Sequence, residues 1–544
     1  MNEEKSKYQY ILGGPDAWDK TESAMLKDVF LETQQYEDIS EMEAVFLCGR
    51  RGSGKSAIAR MLAIDPRWKY ARSFQGERSE YGDFMDIVQR LASLRDGGLR
   101  IDIEKVIRRI WGWTLRVIAM MTIIHLASEN DEKNGKDINT IKKYIGGLPN
   151  SIHRGSSIGH VLNIVFSRTV EMVQEGTFDN YISVLNNSEQ HVDALNALER
   201  ITKRNRLVLV LDTLESYRIF ENSVIEGFKG VLDAIIAFCA DEQVHGISLK
   251  FFIPAEVYDE VVTGFPGKVR PLAVFMRWRA ADIITMLAGR FLHVLNQTQA
   301  VPEADIERLN RLVDNAYKKH DGGHLREEFW YREAFLPRYI HNRIDGEEDC
   351  FAYLLRHSFR RPRDLISGSM QQIVFNSVER GEFPKISEGS VIAGVHHDGS
   401  LQQMLADALS PYEAKSVVSL VRSSRSTFYG RPSLLNGIQL RQFAKELYNL
   451  HPLRNIDHEQ FLDMLLRCGV IGRVPDSETP DPEVYCIGQF EYMMQDTNPL
   501  ADRFTYCVHP VMADVFHMGA PEGRGVVYPM PEEDTWLEKR THII

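Results

Sequence analysis

The octapeptide Gly49-Arg50-Arg51-Gly52-Ser53-Gly54-Lys55-Ser56 constrains this chain more than any other stretch. It matches the pattern G-x-x-x-x-G-K-[ST] in full. Before it stands Ala44-Val45-Phe46-Leu47-Cys48, a short apolar run of the kind that forms a fully buried strand of a parallel sheet. After it, Ala57-Ile58-Ala59-Arg60-Met61-Leu62 supplies good helix formers. The expected order is strand, glycine-rich turn, helix.

Glycines at these spacings let the backbone curl so that successive N–H groups point inward, and the following helix adds its positive end. That is a cradle for a phosphate, built from Gly49, Arg50, Arg51, Gly52, Ser53, Gly54, Lys55, Ser56 and Ala57. Lys55 is expected to reach the β- and γ-phosphates of a nucleotide, and the Ser56 hydroxyl to ligate Mg²⁺. A second all-apolar run, Leu207-Val208-Leu209-Val210-Leu211, ends in Asp212, and Leu249-Lys250-Phe251-Phe252-Ile253 gives a third. Strands separated by helices predict an α/β fold with a parallel sheet in three layers. A carboxylate at the end of a buried strand can sit beside the loop and complete the Mg²⁺ shell, and Asp212 is the candidate. Hydrolysis also needs a group that orients or deprotonates water. Thr213 follows Asp212 directly, so Glu215 is the candidate for that role, and binding is better supported than turnover.

A length of 544 residues reads as three or four units. The boundaries suggested are 1–80 and 201–300 for two parts of an ATPase core, 81–200 for a helical insertion, 301–430 for a helical lid, 431–516 for a winged helix and 517–544 for an extended tail. A helix is expected over 23–38. The net charge of −12 argues against a surface that grips a polyanion all over. Six scattered cysteines without metal-ligand spacing suit a reducing compartment. The start is polar, and the most apolar run, 117–126, is shorter than the roughly 20 residues a bilayer requires. A cytoplasmic protein with no membrane association is the expectation.

Four blocks resemble the P-loop ATPases around the AAA+ and STAND classes, especially bacterial ones related to origin-recognition and KAP-type NTPases. They are GRRGSGKSAIAR at 49–60, LVLVLDTLES at 207–216, the Trp278 stretch running to Arg290, and Arg360-Arg361-Pro362-Arg363-Asp364-Leu365. The last is similar to the G-x-[PA]-R-x-[LA] opening of a lid helix. The resemblance implies ATP as the nucleotide, Arg363 as a γ-phosphate sensor, homo-oligomers, and bacterial anti-phage defence as the setting. Residues 434–474 read helix, turn, helix, followed by alternating segments at 484–490 and 504–508, the order of a winged helix.

Arg277, Arg279 and Arg290 are candidate arginine fingers, against the plainer reading of surface ion pairs. Trp111 and Trp113, near Arg108, Arg109 and Arg116, could stack bases or simply fill a core. The second helix of the winged-helix candidate carries Glu459, Asp463 and Arg467, a poor complement to a DNA groove, so nucleic acid is not favoured as a partner. With no effector motif in view, a regulatory ATPase implies a separate effector protein. Two alternatives stay open: an ATP-dependent DNA-binding loader of the origin type, and a nucleotide-bound assembly scaffold that does not hydrolyse.

Overall fold

The computed structural model describes residues 11–14, 17, 19–75, 78–127, 134–148, 158–212, 222–255, 258, 269–319, 321–342, 346–409, 429–450, 457–474, 485–490, 502–515, 518 and 526–529. Internal contacts divide the chain into two units. One comprises 34–49 and 55–276; the other comprises 1–33, 50–54 and 277–544.

The first unit is built on a parallel sheet of β1 (Phe46–Cys48), β2 (Tyr70–Gln75), β3 (Leu207–Asp212), β4 (Ile247–Ile253) and β5 (Ala273–Phe275). Their order across the sheet is β2-β3-β4-β1-β5, and every pairing is parallel. All of β3 and β4 is buried, as continuous apolar runs demand when helices cover both faces. The one ionisable residue inside β4, Lys250, survives because its ammonium donates to the carbonyl of Ala44 at 2.6 Å and to that of Glu41. Burial pulls its pKa down to about 7.

Helix α1 (Lys55–Ile64) packs on β2 and β3. Between β2 and β3 the described residues are mostly helical, in Arg78–Asp96, α2 (Ile103–Leu126), Gly135–Gly146, Ile158–Gln174, Phe178–Asn187 and α3 (Glu189–Arg204). The apolar run at 117–126 lies in α2, which is buried around most of its circumference and packs along α4 (Asn222–Cys239). Trp111 and Trp113 are core residues of α2. The indole of Trp113 donates to the Tyr144 hydroxyl at 3.2 Å, and that hydroxyl lies 2.8 Å from Nδ1 of His191 on α3. No helix among the described residues is long and apolar enough to cross a membrane.

The second unit has its core around α5 (Ala280–Thr298), where Phe291 meets Trp330, Phe335 and Phe329 with ring centroids 5.1 to 6.4 Å apart. An antiparallel pair, β6 (Tyr339–His341) and β7 (Glu347–Asp349), and further helices follow, ending with α6 (Asp398–Leu409). Next come β8 (Leu434–Asn436), α7 (Gly437–Leu450), α8 (His458–Arg467), β9 (Ile471–Val474) and β11 (Thr505–Val508), with the antiparallel order β8-β11-β9. Asp457 and Gln460 cap α8 reciprocally, which fixes where that helix begins.

Two expectations change. The single helix over 23–38 is two helices, Lys20–Val29 and Gln34–Ser40; residues 1–33 belong to one unit and those from 34 to the other, so the pattern breaks where the chain changes unit. The extended tail at 517–544 contains β12 (Val526–Tyr528), which pairs in parallel with β10 (Tyr485–Ile487). Tyr528 is buried in the aromatic core of the second unit, an apolar anchor hidden in a Gly- and Glu-rich stretch.

Candidate functional site

In the sheet unit, β1 leads onward to β2 on one side of it, whereas β4 leads to β5 on the other. The strand order therefore reverses at the neighbouring pair β1 and β4, and in open parallel sheets ligands bind outside the carboxyl ends of the strands at such a point. Gly49 sits at that point. Its N–H donates to the Ile253 carbonyl at 3.1 Å, and its own carbonyl accepts from Ala255 N–H at 3.3 Å. Lys55, only 3% exposed, folds back so that Nζ donates to the Gly49 carbonyl at 2.8 Å. Lys55 opens α1, whose first amides have no partner within the helix. The partly exposed Ser56 follows it.

Asp212 is the last residue of β3 and is buried, in register with Phe252 of β4. Two strand spacings of about 4.8 Å put it roughly 10 Å across the sheet from β1, at the same carboxyl edge. A hydroxyl, an ammonium, a helix start and a carboxylate therefore share one edge of one sheet. That donor set suits a phosphate and a hard divalent cation. Glu215 lies outside the described residues.

The middle of the loop, 50–54, is grouped with the second unit. Gly52 and Gly54 have φ of 81° and 99°, the left-handed region that side chains avoid. Gly52 is also close-packed: a Cβ there would lie 3.2 Å from Cβ of Arg363. Arg363 donates its backbone N–H to the Gly52 carbonyl at 3.3 Å. Arg361 Nη1 donates to the Arg51 carbonyl at 3.2 Å, and Trp278 Nε1 to the Ser53 carbonyl at 2.8 Å. The Arg50 guanidinium donates to the carbonyl of Arg467, the last residue of α8. Asp407 on α6 forms ion pairs on both sides: one oxygen lies 3.3 Å from Arg51 Nε, and the other accepts from Arg363 Nη1 at 3.3 Å. Ser53 Oγ is buried and has no hydrogen-bond partner among the described residues, so the loop retains an unused hydroxyl. Arg360 has φ of 55° at the position where the lid-helix pattern carries glycine, a strained arginine held by its buried surroundings.

Arg363 and Trp278 thus both reach the loop. The roles of Asp407 and of the Arg467 carbonyl were not foreseen. Neither has a sequence signal, since Asp407 sits in an ordinary helix and Arg467 contributes only backbone.

The arginine-finger candidates separate. Arg290 is an internal strut: Nη2 lies 2.5 Å from Glu22, and Nη1 donates to the Leu12 carbonyl at 2.7 Å, both partners buried, so it cannot reach another molecule's nucleotide. Arg279 pairs with Asp282 at 2.9 Å. Arg277 is exposed, with no ion pair among the described residues. The cluster on α2 lines a cavity of about 270 Å³ with Trp113, Asn186 and Phe238. Each of its arginines already faces a carboxylate: Arg108 faces Asp233, Arg109 faces Asp179 and Arg116 faces Asp241. Charge there is spent within the fold, and the buried indoles offer no face for a base.

No family profile matches the chain, and comparison with curated proteins and with solved structures gives no match either.

Proposed function

We propose that this chain is a Mg²⁺-dependent ATP-binding regulatory ATPase. On this reading it is a P-loop NTPase core with a helical insertion, a helical lid and a C-terminal winged helix. Its nucleotide state sets conformation or assembly, and it acts with a separate effector protein in bacterial anti-phage defence. The observation that carries the reading is the position of the glycine-rich loop. It leaves β1 at the point where the strand order of the sheet reverses, with Lys55 turned onto Gly49 and with Asp212 at the same carboxyl edge.

Lys55 and the loop amides would hold the phosphates, and Ser56 and Asp212 would hold Mg²⁺. When bound, Mg²⁺ neutralises phosphate charge and orients the polyphosphate. Arg363, packed on Gly52, is the residue best placed to register an anion on the loop. Glu215 is retained as the residue that orients water. ATP as the nucleotide, homo-oligomers and the defence setting rest on the resemblance of the motif blocks.

The competing DNA-loader reading finds less support. Arg441 on α7 is paired with Glu459 and Asp502, and Arg467 with Asp463, so these two arginines are already neutralised by neighbouring carboxylates.

The test is light scattering of the full chain with and without ATP·Mg²⁺, alongside Lys55→Ala and Glu215→Gln. The proposal expects ATP-driven assembly or compaction that Lys55→Ala abolishes and Glu215→Gln prolongs. Particle size and ATP binding indifferent to Lys55 would sink it. Salt-sensitive, ATP-dependent binding of duplex DNA would favour the loader instead.

A further inference from the structure

Asp407 is about 98% buried, yet it is an acid placed between two cationic side chains. One oxygen lies 3.3 Å from Arg51, the second variable residue of the glycine-rich loop; the other lies 3.3 Å from Arg363, whose backbone is bonded to Gly52. Gln403, one turn earlier on α6, donates to the same carboxylate at 3.0 Å. An anionic group clasped by two guanidinium groups beside curled loop amides is chemically close to a bound phosphate. Nearby Arg361 is already committed to Asp364 at 2.9 Å, so Arg51 and Arg363 are the guanidinium groups whose partner is Asp407.

The helix that carries Asp407 is tied to the rest of this unit. Leu401, Met404 and Ala408 of α6 pack with Phe359 and Val511. His509 follows directly on the strand β11 and stacks on Phe359 at 4.4 Å, and Val511 lies two residues further on. Displacing α6 therefore disturbs the packing of the β8-α7-α8-β9-β11 module.

Resting on the nucleotide-binding reading above, we propose that Asp407 is a resident counter-anion of the loop. Its carboxylate holds Arg51 and Arg363, the same groups that an incoming polyphosphate claims. Binding of the nucleotide then releases α6, and the loosened α6 carries the signal to the C-terminal module. Asp407 is a positioning residue in this scheme, since it holds the phosphate-binding arginines and touches no phosphate itself.

The experiment uses the full chain as wild type, Asp407→Asn and Lys55→Ala. Hydrogen exchange is followed in peptides covering 398–409 with and without ATP·Mg²⁺, and ATP affinity is titrated with a fluorescent ATP analogue. In the wild type, ATP should raise exchange across α6 about threefold or more. Asp407→Asn should show that raised exchange without nucleotide and bind ATP about fivefold to tenfold tighter, because the competing state is removed. A variant that is merely damaged binds more weakly, so tighter binding separates release from misfolding. The inference is overturned if wild type binds ATP with no change across α6, or if folded Asp407→Asn binds no tighter. Should Asp407→Asn fail to fold, the wild-type exchange decides alone. If wild type binds no ATP and Lys55→Ala changes nothing, the nucleotide reading has failed and this inference falls with it.

Discussion

The ammonium of Lys55 donates to the carbonyl of Gly49, 2.8 Å away, so the first and seventh residues of the glycine-rich loop close on each other. The bond holds a buried cation in place, and a phosphate can replace the carbonyl as its partner at little cost in geometry. Lys55→Ala should lower ATP affinity by about 100-fold or more, the value of a charge-assisted contact made within a desolvated site. The measurement is calorimetric titration with ATP·Mg²⁺ together with a thermal shift. Wild type should gain melting temperature with nucleotide and the variant should not. A variant that binds ATP within threefold of wild type would remove Lys55 from the site.

Asp212 is argued to act through a cation, and that gives it a signature different from Lys55. Asp212→Asn keeps the shape at the end of β3 and loses the charge. ATP affinity in the presence of Mg²⁺ should fall about tenfold, and affinity in EDTA should stay where it is. Any hydrolysis should fall by at least about 100-fold. Titrating each protein with and without Mg²⁺ reads the difference directly. Equal losses in both conditions would assign Asp212 to the sheet and not to the metal.

Much of this arrangement was legible in the sequence because it is local. Strand, loop and helix around Gly49–Ser56 follow from an apolar run, three glycines and a run of helix formers, and α8 holds Glu459, Asp463 and Arg467, the residues expected on the second helix of its region. What the sequence could not convey is pairing over long distances. Asp407 meets Arg51 across more than 300 residues, and Arg50 meets a backbone carbonyl whose residue type is immaterial. The strand at 526–528 was missed because Val526-Val527-Tyr528 is short and lies among residues typical of tails; its partner, β10, is what makes it a strand. Arg290 does form the ion pair of the plainer reading, but a buried one and not a surface one, since nothing near it in sequence reveals Glu22 as its partner.

That pair supports a stability prediction. Arg290 and Glu22 are both about 95% buried, and removing one partner leaves the other charged without compensation. Arg290→Met should destabilise the chain by about 3–5 kcal/mol, and the double variant Glu22→Gln, Arg290→Met should recover part of that. Urea unfolding of the three proteins measures it. Unchanged stability with lost hydrolysis would instead return Arg290 to the role of a finger.

The chain from Trp113 through Tyr144 to His191 makes stability depend on pH. Trp113 donates to the Tyr144 oxygen, which lies 2.8 Å from Nδ1 of the buried His191. Burial, with the Arg116 charge in addition, pushes the His191 pKa down from 6.5 to about 4. Above about 6.5 neither the folded nor the unfolded chain carries the proton at this site, and the residue costs nothing. As pH falls from about 6.5 to about 4, the unfolded chain binds a proton that the folded chain refuses. Stability should then drop by about 1.4 kcal/mol per pH unit from this group and level off below about 4. His191→Phe removes the titration and keeps the bulk. Wild type should therefore lose about 2–3 kcal/mol more than the variant between pH 7 and pH 4.5. Urea unfolding at both pH values supplies the comparison, because shared groups such as the buried His509, also held neutral, cancel between the two proteins. Parallel losses in wild type and variant would mean that His191 is protonated in the folded chain.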